Sequence, residues 1–142
     1  MSGSNPAFAR KGLVLRLPKE LSAVEEGRLA LLEYLQSLAL DDRVINRVEV
    51  ILEELVTNVV RHADEATHVR LSANPCDEGV RLCVEDDGAA FNPLQVDEIG
   101  PFDKLEDARL GGLGIPLVKR LSRSVEYDRI GSSNRICAVI TA

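Results

Sequence analysis

Basic charge is scarce in this sequence. Seventeen lysines and arginines stand against 23 aspartates and glutamates, a net charge of −6, which disfavours non-specific binding to nucleic acid or attachment to anionic membranes. Long apolar runs are missing, and none approaches the roughly 20 residues of a membrane-spanning helix. The opening residues MSGSNPAFARKG lack the apolar core of a signal peptide, so residues 1–11 read as a loose tail. Cysteine is sparse. Cys76, Cys83 and Cys137 are odd in number and lack paired metal-ligand spacing, so neither a disulfide framework nor a zinc site is expected. The three read as packing residues in a reducing cytosol. There is no internal repeat and no low-complexity segment. What is present is a chain of 142 residues, 45% hydrophobic and 28% charged, the balance of one soluble globular domain over 12–142.

The most informative stretch is DRVINRVEVILEELVTNVVRHA, from Asp42 to Ala63. Val44, Ile45, Val48, Ile51, Leu52, Leu55 and Val59 recur at three- and four-residue steps, which predicts an amphipathic helix capped by Asp41 or Asp42. Glu54, Asn58 and His62 form a second stripe, one turn apart. A carboxylate and a carboxamide so placed can serve one metal–phosphate centre. The amide oxygen is a hard ligand suited to Mg²⁺, and the carboxylate can take a proton from an attacking hydroxyl. The same residues can equally decorate a wet helix face.

Around this helix the periods change. Leu13, Leu15 and Leu17 alternate in a first strand ended by Pro18. Ser22 with Glu25 offers a capping box for a helix carrying Val24, Leu31, Leu32, Leu35 and Leu38 on one face. Val69, Leu71 and Ala73, then Val80, Leu82 and Val84, predict a hairpin turning at 74–79. A long connection over about 91–110 suits a lid, or a disordered surface insertion. Gly111-Gly112-Leu113-Gly114 leads into a short helix with Pro116 in its first turn or so. Val125 and Tyr127, a turn at Gly131-Ser132, and Ile136, Ala138 and Ile140 give two last strands. The order β-α-α-β-β-lid-α-β-β predicts an α+β two-layer sandwich, with helices on one face of a mixed, mostly antiparallel sheet.

Two further motifs stand beside the helix. Asp86-x-Gly88 at a strand end can accept a hydrogen bond from an exocyclic amine such as adenine's, with glycine allowing close approach; it can also be a plain turn. The glycine cluster before a helix can bind phosphate through free backbone N–H groups, or act as a hinge. It fits neither the P-loop nor the Rossmann fingerprint. His62 can contact phosphate or the lid, or be a partly buried structural histidine near a helix end.

The phrases EELVTNVVRHA, VEDDGAAFNP, GGLGIPLVKRL and EYDRIGSSNR, in this order, resemble the GHKL ATP-binding superfamily with its Bergerat fold. More narrowly, they are similar to the bacterial anti-sigma-factor serine/threonine kinases of partner-switching systems. The resemblance runs from about Leu13 to Ala142. It implies an ATP- and Mg²⁺-dependent protein kinase in the cytoplasm, with Glu54 as general base and Asn58 on Mg²⁺. Asp86 would bind the adenine amine and Gly88 would shape the pocket floor. Gly111, Gly112, Leu113, Gly114 and Ile115 would lie at the phosphates, with His62, Phe91 and Asn134 among the nucleotide contacts. The implied partners are a STAS-domain anti-anti-sigma protein as substrate, and a sigma factor or other target held by the kinase. A homodimer is possible within the family; no direct nucleic-acid or membrane partner is implied.

The chain also departs from the family's pattern. Ala90 stands where many relatives have glycine, and Asn134 where several have threonine. Glu53 points away from the Glu54–Asn58 stripe. Besides the enzyme, the residues admit a nucleotide-dependent binding module with little or no transfer, and an α+β domain with no nucleotide at all.

Overall fold

The computed structural model describes residues 12–77, 79–95 and 114–142. Its elements are β1 (Leu13–Pro18), α1 (Ser22–Gln36), α2 (Asp42–His62), β2 (His68–Cys76), β3 (Gly79–Asp86), a 3-10 turn (Pro93–Gln95), α3 (Gly114–Leu121), β4 (Ser124–Ile130) and β5 (Ser133–Thr141). The expected order is found. The loose tail and most of the expected lid lie outside the described residues.

The five strands form one sheet in the order β1-β2-β3-β5-β4. Every described pair is antiparallel, which corrects the expectation of a mixed sheet. Strand β3 pairs with β5 and not with β4, so the chain crosses through α3 before the β4–β5 hairpin is added at the sheet edge. The hairpin β2–β3 is tighter than expected. Asn74, Pro75 and Cys76 pair with Arg81, Val80 and Gly79, leaving the turn to 77–78. Pro75 lies beyond Ala73, the last β2 residue that pairs with β1 among the described residues, a strand position where a missing N–H is tolerated. In the β4–β5 turn Gly131 adopts φ 60°, a conformation that strains other residues.

Helix α2 is the spine of the core. Val44, Val48, Ile51, Leu52, Leu55, Val56 and Val59 are buried along it. They pack in one cluster with Leu17, Val69, Leu71, Ala73, Val80, Leu82, Val84, Ile136, Ala138 and Ile140 from one face of the sheet. Burying a side chain of this size contributes roughly 1.5–3 kcal/mol, so packing fixes the helix and with it the stripe of polar residues. Both ends of α2 are closed. The Asp41 carboxylate accepts from the Arg43 N–H at 2.8 Å. Lys19 Nζ donates to the carbonyls of Ala63 and Asp64 at 2.8 and 3.3 Å, partnering carbonyls that a helix end otherwise leaves open.

The capping box expected at α1 does not form. Leu21 holds the N-cap position with no side-chain cap, and Ser22 Oγ donates instead to Glu20 at 3.4 Å. A second correction concerns the cysteines. Cys83 and Cys137 sit directly opposite each other in the β3–β5 register and form a disulfide on the sheet face away from the helices, while Cys76 is free. They lie 54 residues apart in sequence, and only the crossover that places β5 beside β3 brings them together. No helix among the described residues is long and apolar enough to cross a membrane.

Candidate active site

A cavity of about 320 Å³ opens where the C-terminal end of α2 meets the ends of β3 and β5. Leu55, Val59, Val84 and Ile136 supply apolar wall. Asn58, His62, Asp64 and Glu65 come from α2 and the turn after it, and Asp86, Ala89, Ala90, Phe91, Pro93 and Asn134 complete the rim. A mostly apolar slot with a few converging polar groups is what a small heteroaromatic ligand needs.

Asp86 is the carboxylate in that wall, only 7% exposed. Its Oδ1 accepts from the Gly88 N–H at 2.8 Å and from Asn134 Nδ2 at 3.1 Å. Its Oδ2 receives no hydrogen bond from the described residues, and so remains for a donor entering the cavity. A side chain at Gly88 would be crowded. A Cβ there would sit 3.0 Å from Asp86 Oδ1 and 3.4 Å from Ala66, against the acceptor itself.

Asn134, 5% exposed, is directly opposite Asp86 in the β3–β5 register. Its Nδ2 donates to Asp86 and to the Ala89 carbonyl at 2.8 Å. Its Oδ1 accepts from the Phe91 N–H at 3.1 Å, Tyr127 Oη at 2.5 Å and Arg129 Nη1 at 3.2 Å. Both amide hydrogens and the oxygen are therefore engaged with the protein. Phe91, 48% exposed, is anchored by its backbone while its ring stays at the cavity rim.

The helix stripe falls as its spacing requires. Asn58 is half-buried in the cavity wall, and its side chain has no hydrogen-bond partner among the described residues. His62 is exposed at the rim, which corrects its reading as a partly buried structural histidine: it lies on the last turn of α2, on the polar stripe and off the face that packs on the sheet. Glu54, one turn before Asn58 and just beyond the cavity wall, is half-buried. A Cβ on Gly114 would overlap its carboxylate oxygen, so glycine at the start of α3 is what lets that carboxylate lie against the helix end. Burial pushes the Glu54 carboxyl above the ordinary glutamate range, repulsion from Glu53 adds to this, and Arg61 opposes it. A carboxylate so placed is a stronger base than a solvated one. Ile115 packs partly buried against the core and is not in the cavity wall. Gly111, Gly112 and Leu113 lie outside the described residues.

Among the described residues no group of three or more His, Cys, Asp or Glu side chains could hold a metal; the Asn58 amide, with no partner among those residues, offers a hard oxygen donor of the kind that suits an oxygen-ligated ion.

Residues 17–140 match the histidine kinase-like ATPase domain. The chain belongs to this family. Among curated relatives, the serine-protein kinase RsbW of Listeria monocytogenes is 30% identical over 125 residues, 82% of this chain and 80% of that protein. The serine/threonine-protein kinase BtrW of Bordetella bronchiseptica is 29% identical over 124 residues, 82% and 87% of the two chains. Two solved structures share the fold. One holds the RsbU and RsbW domains of a Mycobacterium tuberculosis protein, with a TM-score of 0.66 and 17% identity over 92% of this chain and 32% of that longer one. The other is the SiaB–SiaC complex of Pseudomonas aeruginosa, with a TM-score of 0.67 and 16% identity over 98% of this chain and 95% of the matched one. The resemblance read from the four sequence phrases and the α+β fold it implied agree with this family membership.

Tyr127 and Arg129 were not legible as part of the site. Their signal was an alternation: Val125, Tyr127 and Arg129 share the face that pairs with Ala138, Ile136 and Asn134, and from the exposed end of that row Arg129 reaches the buried Asn134 amide.

Proposed function

We propose that this chain is an ATP-dependent protein serine/threonine kinase of the partner-switching type. The observation that carries the reading is the convergence on one cavity edge of a buried carboxylate (Asp86) and an amide (Asn58), each with an oxygen unpartnered among the described residues, and, one turn away, a desolvated carboxylate (Glu54). The kinase names of relatives that align with most of the chain support it.

In this reading Asp86 Oδ2 accepts the exocyclic amine of adenine, with the base against Leu55, Val59, Val84 and Ile136. Gly88 keeps the floor low, and His62 and Phe91 border the nucleotide. Asn58 holds Mg²⁺ through its amide oxygen; when bound, the ion neutralises phosphate charge. Gly111, Gly112, Leu113 and Gly114 offer backbone to the phosphates, Ile115 packs behind them, and residues 91–110 close over them. Glu54 takes the proton of a serine or threonine hydroxyl as its oxygen attacks the γ-phosphorus and ADP departs. Positioning and charge neutralisation supply most of the rate enhancement. The substrate is a STAS-domain anti-anti-sigma protein in the cytoplasm, and the kinase also sequesters a sigma factor or another target. Residues 12–142 form the single catalytic domain and 1–11 a tail.

The test is calorimetric titration with ATP and a non-hydrolysable analogue, with and without Mg²⁺, followed by labelled-phosphate transfer to STAS-domain proteins. Mg²⁺-dependent binding that disappears in Asn58→Ala is the expected result. No binding in either condition overturns the reading. Binding without transfer to any serine or threonine protein favours the nucleotide-dependent binding module over the kinase.

A further inference from the structure

Three neighbouring strands place Asp86, Asn134 and Arg129 side by side on one face: Asp86 is opposite Asn134, and Asn134 opposite Arg129. Tyr127 lies two residues back along β4 on the same face. The hydrogen bonds run in one direction across this row. Tyr127 Oη and Arg129 Nη1 donate to Asn134 Oδ1, and Asn134 Nδ2 donates to Asp86 Oδ1. Arg129 Nη1 also donates to the Gly88 carbonyl at 2.8 Å, and Asn134 Nδ2 to that of Ala89. The amide can point only one way. Three donors surround its oxygen and two acceptors its nitrogen, so a flipped amide would face clashing partners on both sides.

We infer that Tyr127 and Arg129, acting through Asn134, are positioning residues for base selection: they lock the Asp86 carboxylate so that Oδ2 alone faces the cavity and reads an exocyclic amine. The inference rests on the nucleotide reading above. Asn134 itself has no free polar atom for the ligand, so it orients the reader and does not contact the base. Without the lock, the carboxylate can rotate about its Cβ–Cγ bond and the Gly88–Ala89 backbone loses two of its ties. An acceptor that must be ordered when the ligand arrives binds more weakly than one already ordered. The loss falls on ligands that use the acceptor and spares those that do not.

Adenosine and inosine diphosphates provide the test, because inosine carries a carbonyl where adenosine carries the amine. Both are titrated calorimetrically into the full chain, wild type and variants, with melting curves recorded alongside. Wild type is expected to prefer ADP. Tyr127→Phe and Arg129→Met should each lower the ADP-over-IDP ratio several-fold, and the double variant by about tenfold, the scale of one hydrogen bond to a charged group. The IDP affinity should stay within about twofold of wild type, and Arg129→Lys should restore part of the ratio. Tyr127→Phe removes a single oxygen and keeps the ring, so it carries the test if the arginine variants fail to fold. A ratio that stays at the wild-type value, or a parallel loss of both nucleotides, overturns the inference and leaves the nucleotide reading intact. A wild type that binds neither nucleotide overturns that reading itself. A wild type that binds both equally overturns the role of Asp86, and with it the lock.

Discussion

Asp86 and Asp87 are consecutive in the chain and opposite in circumstance. Asp86 is buried in the cavity wall, and among the described residues only its Oδ1 is partnered. Asp87 lies nearer the surface and is fully employed. Its Oδ1 accepts from the N–H groups of Thr67 and His68 at 2.7 and 3.2 Å, and its Oδ2 from Thr67 Oγ1 at 2.6 Å. The Thr67 hydroxyl and then the Thr67 and His68 amides hold the Asp87 carboxyl well below the ordinary carboxylate range, against a smaller opposing effect of burial. The contrast extends further. Glu54 is pushed up by burial, while Glu25, paired to Arg28 at 2.8 Å, is drawn down by that hydrogen bond. Asp86 and Glu54 are under-partnered among the described residues, whereas Asp87 and Glu25 are held by partners. In the proposed function Asp86 and Glu54 serve ligand and chemistry at a cost in stability, whereas Asp87 latches the fold.

The sharpest way to break this contrast is Glu54→Gln. Labelled-phosphate transfer should fall by about 10²–10⁴-fold, the usual worth of a general base, with ADP affinity retained. Melting should move the other way. The folded state holds the Glu54 proton more tightly than the unfolded chain does, so ionisation costs stability as pH rises above the ordinary glutamate value near 4.5. The glutamine variant should therefore melt at or above wild type at neutral pH, with the gap closing in acid. In wild type the acid limb of the transfer rate should lie above that ordinary value. Undiminished transfer in the variant would remove Glu54 as the base.

Asp86→Asn comes next. Its amide oxygen can keep the Gly88 and Asn134 hydrogen bonds, which puts an NH2 donor where the free acceptor was, and ADP affinity should fall by about 10-fold or more at unchanged melting temperature. A drop in melting temperature with unchanged ADP affinity would place Asp86 in the latching class.

Asp87→Ala should do the reverse. Loss of its three hydrogen bonds should cost on the order of 1–3 kcal/mol, read as a lower denaturation midpoint, with ADP affinity little changed. The folded Asp87 carboxyl is depressed, so its contribution is present above the ordinary aspartate value near 3.8 and lost as pH falls. The deficit of the variant should be full at neutral pH and shrink in acid; a deficit that persists unchanged into acid would contradict the latch.

The smallest effect is expected for Glu25→Ala. Glu25 and Arg28 are an exposed pair on α1, and neither melting nor nucleotide binding should move measurably. A clear destabilisation would show that pairing outside the cavity matters more than exposure allows.

The helix stripe was legible because its spacing is local. Glu54, Asn58 and His62 needed only the 3.6-residue period to share a face, and the alternating apolar residues gave each strand in the same way. Asp86 and Gly88 were legible as a motif but not as a half-open acceptor. The free state of Oδ2 depends on Asn134, 48 residues later. The capping box at Ser22 failed because the signature specifies residue types and not the path of the chain arriving from Pro18.

The elements, their order and the family can be read from the chain because they are written in short-range periods and contiguous phrases. Which groups are partnered follows from how distant strands come together. The pairing of β3 with β5 across an intervening helix and strand aligns Asp86 with Asn134 and Arg129, and closes Cys83 on Cys137. That alignment arises from strand register, and register is set by how the buried faces of distant strands pack against α2, which no single stretch of the chain contains.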